Sequence, residues 1–307
     1  MSVATPLTDL HPPVDMPVRA AAPTIWRDLY ELTKPRMNLL VVLTTLLGCY
    51  AAPHPAGLDW VRVINTVIAT ALPAAGAAVL NQYVERDLDA NMRRTAKRAL
   101  PAGRIDPLFA LALGVLLGVS GITYLTLAVN PLTALLGAAT LGSYVFVYTP
   151  MKRWTTLCTI VGAIPGAIPP VMGWTAMTNS LSVEAGALFA ILFIWQMPHF
   201  LAIAMMHEAD YSAGGFKMLP CIDPGYHSTA RQILIYSISL VPISLMPVGL
   251  HMAGGGYLVI AVILGIAFVY FGFKVALQRT RANARQLFLA SIVYLPVLLI
   301  ALVVDKA

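Results

Sequence analysis

Residues 107–151 read PLFALALGVLLGVSGITYLTLAVNPLTALLGAATLGSYVFVYTPM, with no Asp, Glu, Lys or Arg among them. An apolar helix of roughly 20 residues spans a bilayer core, so this run is long enough for two crossings. It divides at Asn130-Pro131, because proline lacks the N–H that a continuing helix needs. Further uncharged runs lie between Met37 and Leu58, Val63 and Val84, Trp154 and Val183, Ala185 and His207, Gln232 and Phe273, and Gln286 and Val304. The run from Gln232 is again double and divides at Gly254-Gly255-Gly256. The pattern predicts an all-α polytopic membrane protein with nine transmembrane helices.

Composition agrees. Charged residues make up 11% of the chain, against about 25% in a soluble domain, and the mean hydropathy is +0.76. Cys49, Cys158 and Cys221 form no CxxC pair, so neither a disulfide framework nor a zinc site is indicated. Residues 1–24 are rich in Pro and Ala and lack the apolar core of a signal peptide. They are expected to be a disordered tail ahead of a membrane domain at 25–307, whose first helix serves as an uncleaved signal anchor.

Nine spans place alternate loops on opposite sides. Of the 20 Lys and Arg residues, all but Arg62 and Lys306 then fall on one side. The positive-inside rule makes that side, and the N-terminus with it, cytoplasmic. The expected location is the cell inner membrane, and the net charge of +6 reflects topology rather than nucleic-acid binding. Trp60, Trp154 and Trp174 fall near predicted helix ends, where indole rings prefer the interface. All 14 carboxylates except Asp59, Glu184 and Asp305 share the basic side. A transporter is expected to carry polar groups at midplane depth. Here they crowd at one end, which points to catalysis at a membrane surface.

Two constellations carry that chemistry. The second span ends in Asn81-Gln82-Tyr83-Val84-Glu85-Arg86-Asp87-Leu88-Asp89. Asn81, Glu85 and Asp89 are spaced to share one face of a continuing helix. Their oxygens suit Mg²⁺, which is commonly held by one or two carboxylates plus substrate phosphates. Arg93, Arg94, Lys97, Arg98 and Arg104 follow as phosphate donors. The bland alternative is a basic run that enforces topology while the carboxylates pair with it. The sixth span carries Trp195-Gln196-Met197-Pro198-His199-Phe200, then His207-Glu208-Ala209-Asp210-Tyr211. Gln196 and His199 sit inside an apolar run beside a helix-breaking proline, where polar side chains mark a site. The alternative for His199 is a structural donor to a freed carbonyl. Glu208 and Asp210 are candidates for a second metal or a stabilising charge. Lys217, beyond Gly214-Gly215, is a candidate phosphate contact.

These motifs are similar to those of the heme O synthase (protoheme IX farnesyltransferase) family, within the membrane prenyltransferases. The matching stretches are Asn81 to Asp89 with Met92-Arg93-Arg94-Thr95, and Tyr148-Thr149-Pro150-Met151-Lys152-Arg153. To these are added Gly166 to Trp174 and Trp195 to Phe200, continuing through Asp210-Tyr211 to Met218-Leu219-Pro220. The resemblance departs at Ala99, where relatives usually carry Pro, and near His207 and Cys158, where many carry a basic residue and an Asn, respectively. It implies helices bundled around a central cavity open to the cytoplasmic leaflet. It also implies transfer of a farnesyl group from farnesyl diphosphate to a vinyl group of heme b, with addition of water, for a downstream heme A synthase or terminal oxidase. Asn81, Glu85 and Asp89 would hold Mg²⁺. Arg93, Arg94, Arg98, Lys152, Arg153 and Lys217, with Asp210 and Tyr211, would form the diphosphate side, and His199 would position the heme. Tyr144, Tyr148, Trp174 and Trp195 are candidates to face an allylic cation. The rivals are a prenyltransferase for a quinone precursor or chlorophyllide, a transporter, and an assembly factor that only carries heme.

Overall fold

The computed structural model describes residues 25–55 and 57–306; the tail expected at 1–24 lies outside them. The helices are α1 (Ile25–Thr33), α2 (Pro35–Ala51), α3 (Trp60–Asp89), α4 (Pro107–Ala128) and α5 (Pro131–Gly142). A π-helical turn (Ser143–Tyr148) then leads into α6 (Thr149–Met151). After these come α7 (Cys158–Thr178), α8 (Val183–Met206), α9 (Glu208–Ala213) and α10 (Leu219–Ile222). The last three are α11 (His227–Gly249), α12 (Gly255–Leu277) and α13 (Arg281–Val304). Eight of the helical segments are long and apolar enough to cross a bilayer, counting Pro131–Met151 as one; α2, at 17 residues, is a ninth apolar helix that is shorter.

The break points are local chemistry. Asp106 and Asn130 each accept a backbone N–H of the following helix, and each is followed by a proline in the first turn. Asp59, Ser182 and Thr280 cap α3, α8 and α13 in the same way. Helix α3 runs unbroken for 30 residues, about 45 Å at 1.5 Å per residue. It therefore outruns a hydrocarbon core of about 30 Å and can lift its last turns, with Asn81, Glu85 and Asp89, to the membrane edge.

Helices α3 and α4 pack together, as do α2 with α7, α7 with α8, and α8 with both α11 and α13. Large apolar side chains such as Leu127, Phe146 and Ile266 face outward, as lipid contact requires. Amphipathic α1 lies over the end of the bundle that carries the carboxylates. Arg104 donates from Nε and NH2 to Asp28 at 2.8–3.1 Å, and Gln82 Nε2 donates to the Leu32 carbonyl at 2.7 Å. Trp60 and Trp154 are exposed, as interfacial rings should be. Trp174 is not: it is buried, and its Nε1 has no partner. Helix α7 is wedged between α2, α5 and α8, which cover the turn that carries Trp174.

Candidate active site

A cavity opens between α2, α3, α5, α7 and α8. Its wall is mostly apolar (Val41, Pro73, Ala77, Leu141, Pro165, Met172), with Asn38, Thr70, Thr140, Gln196, Tyr144 and Tyr148 as polar elements. Gln196 donates to the Leu192 carbonyl one turn back. A Cβ on Gly166 would fall 2.1 Å from its Oε1, so Gly166 is what allows the amide its place. The π turn has no sequence signal beyond its approach to Pro150. It sets the Tyr144 and Tyr148 rings side by side, centroids 5.2 Å apart, on the cavity wall. Trp195 and Trp174 are buried elsewhere and do not line it. Of the four aromatic residues expected there, only the tyrosines are in position.

Beyond the Tyr148 end of the cavity, its mouth, stands the α3 face: Glu85 pairs with Lys152, which lies over the Tyr148 ring. Asn81, Glu85 and Asp89 are all buried, at 3%, 6% and 1% exposure, so they do share one face turned away from solvent. Asn81 Nδ2 donates to Thr149 Oγ1 at 3.2 Å, while that hydroxyl donates to the Tyr144 carbonyl at 2.8 Å. Thr149 has only one proton, so it fixes the amide and leaves Asn81 Oδ1 as the free acceptor. Glu85 Oε1 pairs with Lys152 Nζ at 2.8 Å, and Asp89 Oδ2 with Arg98 NH1 at 2.7 Å. Lys152 also sits over the Tyr148 ring, 4.5 Å from its centroid. Buried charges persist only when paired in this manner.

The other candidates separate. Arg93, Arg153 and Lys217 are exposed and make no ion pair among the described residues, unlike Lys152 and Arg98. Lys217 is turned outward because Phe216 and Met218 on either side are buried, while its backbone N–H donates to the Lys152 carbonyl at 2.7 Å. Arg94 is exposed and lies over the Tyr211 ring, 5.9 Å from its centroid. Glu208 is engaged by the Tyr226 hydroxyl and faces Arg281 at 3.9 Å. Asp210 faces His207 at 4.0 Å. Burial, then the Arg94 charge, holds His207 below its ordinary value against the pull of Asp210. It is therefore a weak cation at pH 7.

One residue was missed by sequence reasoning. Lys34, between α1 and α2, adopts a left-handed backbone (φ 46°) and lines the cavity. Burial, aided by the Arg98 and Lys152 charges, pulls its ammonium down to about 7 against Glu85 and Asp89. In sequence it looked like one more topogenic lysine. Only the turn at Pro35 and the packing of α1 turn it inward.

Among the described residues, no three His, Cys, Asp or Glu side chains cluster as a metal cage. A cation here would rest on the oxygens of Asn81, Glu85 and Asp89, completed by the substrate. That donor set is all oxygen with two carboxylates, which fits Mg²⁺.

His199, between two α8 residues of this wall, does not itself line the cavity. Gln196 and Phe200 line the cavity, whereas His199 Nδ1 meets Ser291 Oγ of α13 at 2.7 Å. The freed carbonyl expected beside Pro198 is not its partner.

Comparison with known proteins gives the family and the fold. The model of the UbiA prenyltransferase family matches residues 41–295. A protein of Solibacter usitatus named protoheme IX farnesyltransferase is 48% identical over 91% of this chain and 99% of its own length. One of the same name from Koribacter versatilis is 38% identical over 98% of this chain and 99% of its own. A solved structure of digeranylgeranylglyceryl phosphate synthase superposes with a TM-score of 0.77 at 15% identity, covering 91% of this chain and 98% of that one. A UbiA homologue from Archaeoglobus fulgidus, solved bound to DMAPP and Mg²⁺, gives 0.65 at 15% identity over 90% of this chain and 99% of its own. At such identities these two structures share the fold.

Proposed function

This chain belongs to the UbiA prenyltransferase family, and we propose that it transfers a farnesyl group from farnesyl diphosphate to a vinyl group of heme b, giving heme O. The observation that carries the reading is the buried pairing of Glu85 and Asp89 with Lys152 and Arg98, with Lys152 over the ring of Tyr148, which lines an apolar cavity. A diphosphate needs charge at one end and a farnesyl tail needs an apolar wall at the other. Heme as acceptor rests on the names of the full-length relatives. The A. fulgidus homologue, solved with a prenyl diphosphate and Mg²⁺, supports the donor and the ion.

Asn81 Oδ1, Glu85 and Asp89 would hold Mg²⁺, which when bound neutralises charge on the leaving diphosphate. Lys152 and Arg98 would turn from the carboxylates toward phosphate oxygens, and Lys34, which lines the cavity, would join them. The farnesyl C1–O bond breaks and diphosphate leaves. Tyr144 and Tyr148 offer π faces to the allylic cation without nucleophilic attack. The terminal vinyl carbon bonds to C1, the other vinyl carbon takes hydroxide from water, and one proton is released. Membranes containing the protein, given heme b, farnesyl diphosphate and Mg²⁺, should yield a heme heavier by one farnesyl group plus one hydroxyl group. Prenylation of 4-hydroxybenzoate in place of heme would overturn the acceptor.

Lys34 gives this reading a pH signature. Its charged form binds phosphate, and in the free enzyme that form is lost as pH rises through about 7. The kcat/KM for farnesyl diphosphate, which reports the free enzyme, should therefore decline above that pH. Lys34→Arg stays protonated throughout and should flatten the decline. An unchanged profile in the variant would remove Lys34 from the diphosphate site.

The mouth is assigned to the cytoplasmic face of the inner membrane on the sorting of Lys and Arg. A reporter fused after Asn179 that reads cytoplasmic would reverse that assignment.

A further inference from the structure

His199 is held by a residue 92 positions away on the last helix, and the hydrogen-bond arithmetic there fixes its protonation pattern. Ser291 Oγ lies 2.6 Å from the Phe288 carbonyl and 2.7 Å from His199 Nδ1. A carbonyl can only accept, and at 2.6 Å two bare oxygens would repel, so the single hydroxyl proton points to Phe288. The proton between Ser291 and His199 must then come from Nδ1. With no carboxylate partner and no acceptor for an Nε2 proton among the described residues, a charged ring at this partly buried place would go unpaired, so the imidazole is neutral with its lone pair on Nε2. Trp195 completes the clamp. Its Nε1 donates to the Ser291 carbonyl at 3.0 Å, and its ring stacks on His199 with centroids 4.8 Å apart at 22°. Phe288 and Phe200 flank the same imidazole at 5.1 and 5.7 Å.

Nε2 itself has no hydrogen-bond partner among the described residues, yet it is not one of the sealed, unpartnered polar atoms of the interior. It is a lone pair on a half-buried residue within a collar of aromatic rings. That is the arrangement by which a second residue orients a metal-binding histidine, and a flat apolar macrocycle suits the collar.

We propose that Ser291 is a positioning residue for the acceptor: by taking the Nδ1 proton of His199 it presents the Nε2 lone pair to the iron of the heme substrate. The proposal rests on the transferase reading above and adds α13 to the acceptor site. Removing an orienting partner of this kind typically weakens metal binding about 10–100-fold.

The test uses full-length protein in detergent, titrated with hemin and followed at the Soret band, beside farnesyl diphosphate binding and kinetics. ¹⁵N-histidine spectra, with His199 assigned by its loss in His199→Gln, read the tautomer directly. Wild type should show Nδ1 protonated and Nε2 bare. Ser291→Ala should mix the tautomers, shift the hemin spectrum, weaken hemin binding about tenfold or more and raise KM for heme. Its farnesyl diphosphate affinity should be unchanged, which also shows that the variant is folded. Ser291→Thr, which keeps the hydroxyl, should restore hemin binding. If His199→Ala loses hemin while Ser291→Ala binds it with wild-type spectrum and affinity, the clamp is overturned and the transferase reading stands. If His199→Ala binds hemin normally and still makes heme O, both the ligand role of His199 and the clamp are overturned. Wild type that binds hemin through His199 but produces no heme O would overturn the transferase reading and leave the clamp in place.

Discussion

Asp89→Asn and Glu85→Gln should each leave the protein inserted and folded but lower turnover by about two to three orders of magnitude. The size follows from what one well-aimed electrostatic group contributes to a transition state, roughly 10²–10³ in rate. Both substitutions keep side-chain volume, and the new amide oxygens still accept from Arg98 and Lys152, which pair with the native carboxylates at 2.7 and 2.8 Å. The buried cations are therefore not stranded, and folding is spared the penalty of an unpaired charge. What is lost is negative charge against Mg²⁺, so metal-dependent farnesyl diphosphate binding should weaken along with turnover. Excess chelator should reproduce the defect in wild type and add little in the variants. Turnover within about tenfold of wild type, a barrier change of only ~1.4 kcal/mol, would mean that the carboxylates merely tie down the basic loop.

The second large effect is structural. Gly48→Ala and Gly173→Ala should each lower the yield of folded protein sharply. Helices α2 and α7 cross with their backbones in contact. A Cβ at Gly48 would lie 1.9 Å from the Pro170 carbonyl oxygen, and one at Gly173 would lie 2.0 Å from the Thr45 oxygen and 2.6 Å from the Cys49 nitrogen. These are main-chain atoms inside helices and cannot swing aside, so the helices themselves must part. Overpacking a core with movable neighbours costs about 1–3 kcal/mol; here the loss should exceed that range. It should also open the cavity, because both helices line it. Small residues at membrane helix crossings serve this close approach. Gly186→Ala and Gly249→Ala, where a Cβ meets nothing within 4 Å, are the controls. A Gly173→Ala protein that melts within a degree or two of its Gly186→Ala counterpart would show that the crossing can relax.

That crossing also accounts for part of the Gly166 to Trp174 motif, which as sequence points only to a family. Pro170 and Gly173 meet α2, and Gly166 makes room for the Gln196 amide. None of these contacts is encoded locally, since each joins distant parts of the chain.

The amino-acid sequence by itself determined the helical spans, their break points and the shared face of Asn81, Glu85 and Asp89. Those are short-range consequences of bilayer thickness, capping side chains and helical periodicity, and every term in them is carried by neighbouring residues. Only the tertiary structure decided which polar groups meet. It turned Lys34, in sequence one of the topogenic lysines, into the cavity and left Lys217, the candidate phosphate contact, exposed. It buried Trp174, gave Glu208 to Tyr226 and Arg281, let Thr149 orient Asn81, and set Ser291 against His199. The physical reason is that a side chain's partner depends on how helices far apart in sequence cross. Those crossings depend on backbone contacts such as Gly48 against Pro170, for which a linear hydropathy pattern carries no signal.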